Sequence, residues 1–160
     1  MKALNPEHAA MDEWNRYLLA KIPQKEPFRF IDRIVKVNPE TIIGQYETKA
    51  ISGLFGRLEK VPQPLLIEMM AQTGVVAHGI YLAKWDEQKS KGEPSGFLTL
   101  FTDVKATFFR NVCPDQVLTI VGRRVFWRKL KLRTEAYLYR QNGELVATAM
   151  LSGLGVKKKK

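Results

Sequence analysis

The most constraining feature of this chain is the run "PQPLLIEMMAQTGVVAHGIYLA", Pro62 to Ala83. Proline at its start suits the opening of a helix. Apolar residues then fall on nearly every face, the pattern of a helix buried all round. Such a helix must be wrapped by other elements. Yet it carries a carboxylate, Glu68, and an amide, Gln72. Four residues apart, they share one helical face. An ionised carboxylate in apolar surroundings is costly unless something pairs with it. Glu68, Gln72, Thr73 and His78 interrupt the run, which argues against a membrane span.

The flanking sequence supplies a wrapping. Asn5-Pro6-Glu7 reads as a helix start. Met11, Trp14, Tyr17 and Leu18 then recur at helical steps, predicting a short amphipathic helix over about 5–20. Phe28 to Val37 reads as a strand, Asn38-Pro39-Glu40 as a turn, and Thr41 to Thr48 as the returning strand. Residues 49–61, with Gly53 and Gly56, are expected to form a loop. After the central helix, "WDEQKSKGEPSG" is a polar loop. Four strand-like segments follow, at about 97–109, 116–127, 129–140 and 144–152. Leu130, Leu132, Thr134, Ala136 and Leu138 alternate with polar or amphipathic neighbours, so one sheet face is buried and the other wet. Asn142-Gly143 is a strong hairpin signal. The predicted class is α+β: one antiparallel sheet wrapped around the helix at about 62–83, in a single domain over 1–156 with a basic tail at 157–160. A sheet on one side leaves much of so apolar a helix uncovered. A second copy is therefore expected alongside, making a dimer.

Composition narrows the function classes. The chain has 160 residues, enough for a real core. Its single cysteine, Cys113, excludes an internal disulfide and a multi-cysteine zinc site, and is read as a small packed side chain. "MKALNPEHAAMDEW" has no apolar stretch of signal-peptide length, which predicts a cytoplasmic location. Net charge is +10, which attracts nucleic acid, anionic membrane surfaces and acidic proteins alike. No nucleic-acid recognition motif accompanies the charge, so nucleic acid is not the expected partner. The basic residues concentrate in "GRRVFWRKLKLR", Gly122 to Arg133, which reads either as the wet face of a sheet or as a docking surface.

Three separated segments resemble the β-hydroxyacyl-acyl carrier protein dehydratases. They are "IPQKEPFRFIDRI" (Ile22 to Ile34), "VPQPLLIEMMAQTG" from Val61, and "DVKATFFRNVCPDQVL" (Asp103 to Leu118). The resemblance covers about residues 14–153 and implies the hot-dog fold, a dimeric sheet-around-helix architecture. It implies acyl-thioester binding in fatty acid or related acyl-chain biosynthesis, with acyl carrier protein or acyl-CoA as thioester partner and no cofactor or metal. Glu68 then becomes the family's helix carboxylate, oriented by Gln72. Gly53, Gln63 and Phe55 fall at the substrate, and Arg123, Arg124, Arg128 and Lys129 become the dock for an acidic carrier protein.

Two departures fall on catalytic positions. In that family a histidine stands between a glycine and a phenylalanine, eight residues before the helix-opening proline. Here Gly53 and Phe55 match, but Leu54 occupies the histidine position. A glycine near the helix start, whose N–H helps hold the thioester carbonyl, is replaced by Gln63. Dehydration removes an α-proton and expels a β-hydroxyl, and both steps need proton transfer near neutral pH. Histidine serves without tuning; leucine cannot transfer a proton. The other histidines are not substitutes: His8 is expected on the surface, and His78 lies some 15 Å along the helix from Glu68, at about 1.5 Å per residue, satisfied by local groups. Three readings follow. The chain is an acyl-thioester binder whose dehydration is impaired or depends on a histidine-bearing partner, in a homodimer or heterodimer. Alternatively it is a thioesterase or an active dehydratase using Glu68. The third reading is a basic interaction module without a thioester ligand. Phe97, Phe101, Phe108 and Phe109 are expected in the core or along the acyl channel.

Overall fold

The computed structural model describes Leu4, residues 9–89 and residues 97–157. The chain runs through α1 (Met11–Lys21), β1 (Arg33–Val37), β2 (Thr41–Glu47), a 3-10 turn (Thr48–Ala50) and α2 (Ile51–Phe55). The central helix follows as three consecutive parts: α3 (Gln63–Ala71), a π-helical stretch (Gln72–Ala77) and α4 (His78–Lys89). Then come β3 (Phe97–Phe108), β4 (Val117–Arg128), β5 (Lys131–Tyr139) and β6 (Leu145–Lys157). The strands form one six-stranded antiparallel sheet in the order β1-β2-β4-β5-β6-β3. The predicted class is observed: a sheet wrapped around a long helix.

The alternation in β5 explains the wrapping. Leu132, Thr134, Ala136 and Leu138 are buried against the central helix, while Lys131 and Arg133 face out. Inward residues of the sheet, among them Ile120, Leu138 and Leu151, pack with Leu66, Met69, Met70 and Val75 in one buried cluster. A second cluster joins Trp14, Leu18 and Ile22 to Val76, Tyr81 and Leu82. The rings of Trp14 and Tyr81 sit 4.6 Å apart. Part of the helix surface that seemed to demand a second copy is therefore covered by α1 of the same chain.

The central helix lies close to the sheet because small residues face it. An added Cβ at Gly153 would stand 2.3 Å from Val75 Cγ1, and one at Gly122 would stand 3.1 Å from the backbone Cα of Gly74. The π stretch sits at this contact. Its Gly74 carbonyl accepts a 2.8 Å hydrogen bond from the buried Thr134 hydroxyl, which satisfies a backbone group in a region closed to water.

Several boundaries differ from the sequence reading. The first helix begins at Met11, with Ala10 extended at its cap, while Asn5 to His8 lie outside the described residues. Only Arg33–Val37 of the predicted first strand joins the sheet, because the backbone of Phe28 and Phe30 bonds to the Gln72 side chain instead. The expected 49–61 loop contains α2. The central helix continues through Trp85 to Lys89, where a Lys84–Glu87 ion pair and a bond from Trp127 to Asp86 hold it. β6 runs on to Lys157, which pairs with Phe97 on β3, so the first tail lysine belongs to a strand; residues 158–160 lie outside the described set. Cys113 is exposed, since its neighbour Val112 takes the buried position. Phe101 and Phe109 are also exposed, at 45% and 54%, while Phe108 packs against the core. β3 is an edge strand, so nothing in the same chain covers the far side of Phe101. The Phe97 side chain lies outside the described set.

His78 is fully buried in the interior of the helix, not near its end. Its Nε2 lies 2.9 Å from the carbonyl oxygen of Asn38, in the β1–β2 turn, and its Nδ1 has no hydrogen-bond partner. The partner is thus distant in sequence, not local. Burial pushes its pKa down to about 4, outweighing the Asn38 bond, which acts upward. The folded state therefore favours the neutral ring, whereas the unfolded chain takes up a proton near pH 6.5. The resulting stability is complete above the unfolded value and declines as pH falls from there toward 4. Between pH 7 and pH 5 the loss is about 2 kcal/mol. Urea midpoints at the two pH values will show this loss in the native chain and its disappearance in His78→Gln.

Candidate functional site

Glu68 projects from α3, half-buried rather than sealed in. Its neighbour one turn on, Gln72, is fully buried and makes three hydrogen bonds. Gln72 Nε2 donates to Glu68 Oε1 at 2.8 Å and to the Phe28 carbonyl at 3.0 Å, and the Phe30 N–H donates to Gln72 Oε1 at 2.7 Å. The i,i+4 spacing brings the two side chains together; the chain between α1 and β1 then clamps the amide. With both amide hydrogens and the amide oxygen bonded, Gln72 has a fixed orientation and presents an N–H to the carboxylate. Phe30 is itself buried, edge-on to Tyr46 with ring centres 5.5 Å apart. Burial pushes the Tyr46 hydroxyl up to about 12, with smaller upward contributions from Asp32 and Glu26, so it stays protonated at neutral pH.

Leu54 sits on α2, half-buried, and packs against the front core cluster that also receives Leu65 and Ile67 from α3. Gly53 has open space where a side chain would begin, and Phe55 is 50% exposed. Gln63 is the first residue of α3 and is exposed. Its backbone N–H belongs to the unsatisfied first turn, where the helix dipole favours negative charge. Pro64 has no N–H, and the Leu65 N–H bonds to the Pro62 carbonyl at 3.0 Å. Gln63 thus holds the one N–H in this opening turn that the helix leaves for a ligand.

Among the described residues the single imidazole is that of His78, which is engaged with Asn38. His8 lies outside the described residues. No group of three or more His, Cys, Asp or Glu side chains is placed to hold a metal ion among the described residues.

The basic hairpin stands apart from Glu68. Arg123, Arg128 and Lys129 are exposed, whereas Arg124 is half-buried and ion-paired with Glu40. Trp127 Nε1 donates to Asp86 Oδ2 at 2.6 Å, which pins the hairpin to α4. Asp86 follows Glu68 by 18 residues on the same helix. At about 1.5 Å per residue that is roughly 25 Å.

The Phe28–Phe30 segment is the part of the site that sequence reading missed. Strand propensity there masked its role. The one available signal was Gln72 itself, a buried amide with more hydrogen-bonding capacity than Glu68 alone can use.

Comparison with known proteins gives consistent relatives. The chain matches the ApeP-like family, described as ApeP dehydratase, over residues 18–155. It is 30% identical over 148 residues to a 3-hydroxyacyl-[acyl-carrier-protein] dehydratase FabZ from Campylobacter lari, covering 86% of this chain and 93% of that one. Among solved structures, it resembles a chain of the dehydratase heterocomplex ApeI:P from Xenorhabdus doucetiae, with a TM-score of 0.71, 16% identity, and 88% and 91% of the two chains covered. It also resembles a thioesterase from Haemophilus influenzae, with a TM-score of 0.66, 10% identity, and 97% and 96% covered. At these identities the two structures speak for the hot-dog fold alone.

Proposed function

Because the chain belongs to the ApeP-like dehydratase family, we propose that it binds β-hydroxyacyl thioesters and lends Glu68 to a dehydration site completed by a histidine-bearing hot-dog partner. The observation that carries this reading is the pairing of an intact carboxylate with a missing base. Glu68 is half-exposed and oriented by Gln72, while Leu54 fills the position where the resemblance expects histidine. In the composite site one of the pair takes the α-proton, and the other protonates the departing β-hydroxyl, which leaves as water. Gln63, Gly53 and Phe55 border the thioester, with the Gln63 N–H facing its carbonyl oxygen. No cofactor enters the reaction.

The partner subunit docks along β3. That edge strand of 12 residues exposes Phe101 and Val104 on its helix-facing side. An uncovered apolar edge of this length is a template for pairing. The relatedness to acyl carrier protein dehydratases supports a carrier-bound thioester and a cytoplasmic location. Arg123, Arg128 and Lys129, roughly 25 Å from Glu68 along the helix, serve this reading by steering an acidic carrier; long-range charge speeds encounter more than it deepens affinity. The one helix apolar enough to cross a membrane, Gln63–Glu87, is buried over 78% of its most apolar window.

The test is a mixing experiment with a β-hydroxyacyl carrier thioester. Water is lost when this chain and a histidine-bearing homologue are combined, and not with this chain alone. Release of free thiol by this chain alone overturns the reading in favour of a thioesterase. A second test is Leu54→His. It restores a proton-transfer group beside an otherwise complete site, so this chain alone gains dehydration, by about 10²-fold or more over its own background. A Leu54→His chain that binds thioester yet stays inert places the fault in Gln63 or the pocket shape.

A further inference from the structure

The outer face of the sheet carries, at its β4–β5 end, a band that the Glu68 site does not use. Strand register sets Arg128, Lys131, Leu154 and Leu100 side by side across β4, β5, β6 and β3. The adjoining row is Phe126, Arg133, Ser152 and Asp103. Leu100, Phe126 and Leu154 are 46%, 45% and 38% exposed, although large apolar side chains on a wet sheet face are usually few and scattered. Arg128, Lys131 and Arg133 are exposed between them. Asp103 is the single acid in the two rows, and the Thr102 hydroxyl donates to it.

This face is convex, because the sheet bends around the central helix. A second copy of the chain would set these cations against their own images, on a molecule of net charge +10. A folded acidic protein would need a concave surface to match. A lipid bilayer needs no preformed complement: anionic headgroups meet the cations, and the apolar side chains reach the acyl boundary just beneath. We infer that this band docks the protein on an anionic membrane surface. Phe126, Leu100 and Leu154 enter the headgroup layer; Arg128, Lys131 and Arg133 lie at the level of the phosphates. Their aliphatic stems can follow the apolar side chains inward while the charges stay in water. The helix-facing residues of β3, assigned above to the partner subunit, lie on the opposite face of the sheet, so both contacts can form at once. The inference is independent of the dehydration reading.

Co-sedimentation of the full chain with large unilamellar vesicles tests it. One set is phosphatidylcholine alone; the other mixes two parts phosphatidylcholine with one part phosphatidylglycerol. The protein pellets with the anionic vesicles, not the neutral ones, and added salt releases it. Each interfacial cation is worth roughly fivefold in partitioning, so the double variant Arg128→Glu/Lys131→Glu weakens binding by at least ~25-fold. Leu100→Ser/Phe126→Ser weakens it with no change in charge. All four positions are exposed; a circular dichroism spectrum unlike the native one in either variant leaves the other to decide. Absence of binding to the anionic vesicles overturns the inference. So does binding that both double variants retain, or binding abolished by Lys158→Ser/Lys159→Ser/Lys160→Ser while the band variants keep it. Capture by an immobilised acidic protein without vesicle binding overturns it in favour of a protein partner.

Discussion

In a mixture with a histidine-bearing partner, Glu68→Gln in this chain will lower the dehydration rate by about 10²- to 10⁴-fold. The substitution is nearly isosteric. The new amide oxygen can still accept from Gln72 Nε2, so the clamp on Phe28 and Phe30 stays in place. What disappears is the ability to give or take a proton at that point. Single-turnover water loss is the measurement, with thioester affinity measured separately. Affinity should change little, since a proton-transfer group acts in the transition state. A mixture whose rate ignores the substitution would mean that the partner's own residues do all the chemistry. Gln72→Met offers a contrast. It removes three hydrogen bonds and leaves the buried Phe30 N–H and the Phe28 carbonyl unpaired, so it costs stability as well as rate.

Gly153→Val is expected to destabilise the fold by about 3 kcal/mol, the upper end for overpacking a close contact. A Cβ at this position would lie 2.3 Å from Val75 Cγ1 and 3.3 Å from the Leu100 carbonyl oxygen. Valine has one stiff torsion and cannot swing clear, and the Leu100 oxygen belongs to the β3 backbone. Helix and sheet must therefore separate locally, weakening the packing on both sides. For a chain of this size the shift in Tm is on the order of 10 °C, readable by thermal melting. Gly53→Val, at a glycine with open space around it, is the control, with a much smaller effect.

The fold was legible because its signals are periodic. The all-round apolar helix, the alternation in β5 and the Asn142-Gly143 turn each report local geometry, and each stands where the sequence put it. The Glu68–Gln72 contact was legible for the same reason: four residues make one helical turn. Leu54 was visible through its flanks, Gly53 and Phe55. What stayed hidden depends on contacts between distant segments. Nothing in "PFRF" says that its backbone will bond to a side chain 42 residues away instead of a neighbouring strand. The basic hairpin reads the same whichever end of the helix it reaches; the Trp127–Asp86 bond decides that. Helical signals at 51–55 were masked by glycine on either side of Leu54 and Phe55. Phe101 and Phe109 read as core because strand position in a sheet, edge or centre, leaves no trace in a single strand.

The π-helical stretch has a consequence for how this chain can vary. A π turn holds one residue more than an α turn, so Gln72–Ala77 acts as a phase offset between the two halves of the helix. Deleting one residue there would let an unbroken α-helix form and rotate everything beyond it by about 100°. The imidazole of His78 and the ring of Tyr81 would swing out of their seats, while the carboxylate end kept its place. The front half, which carries the acid, and the rear half, which anchors to α1, are thus set in azimuth independently of each other. A lineage could re-aim one without disturbing the other by adding or losing a single codon.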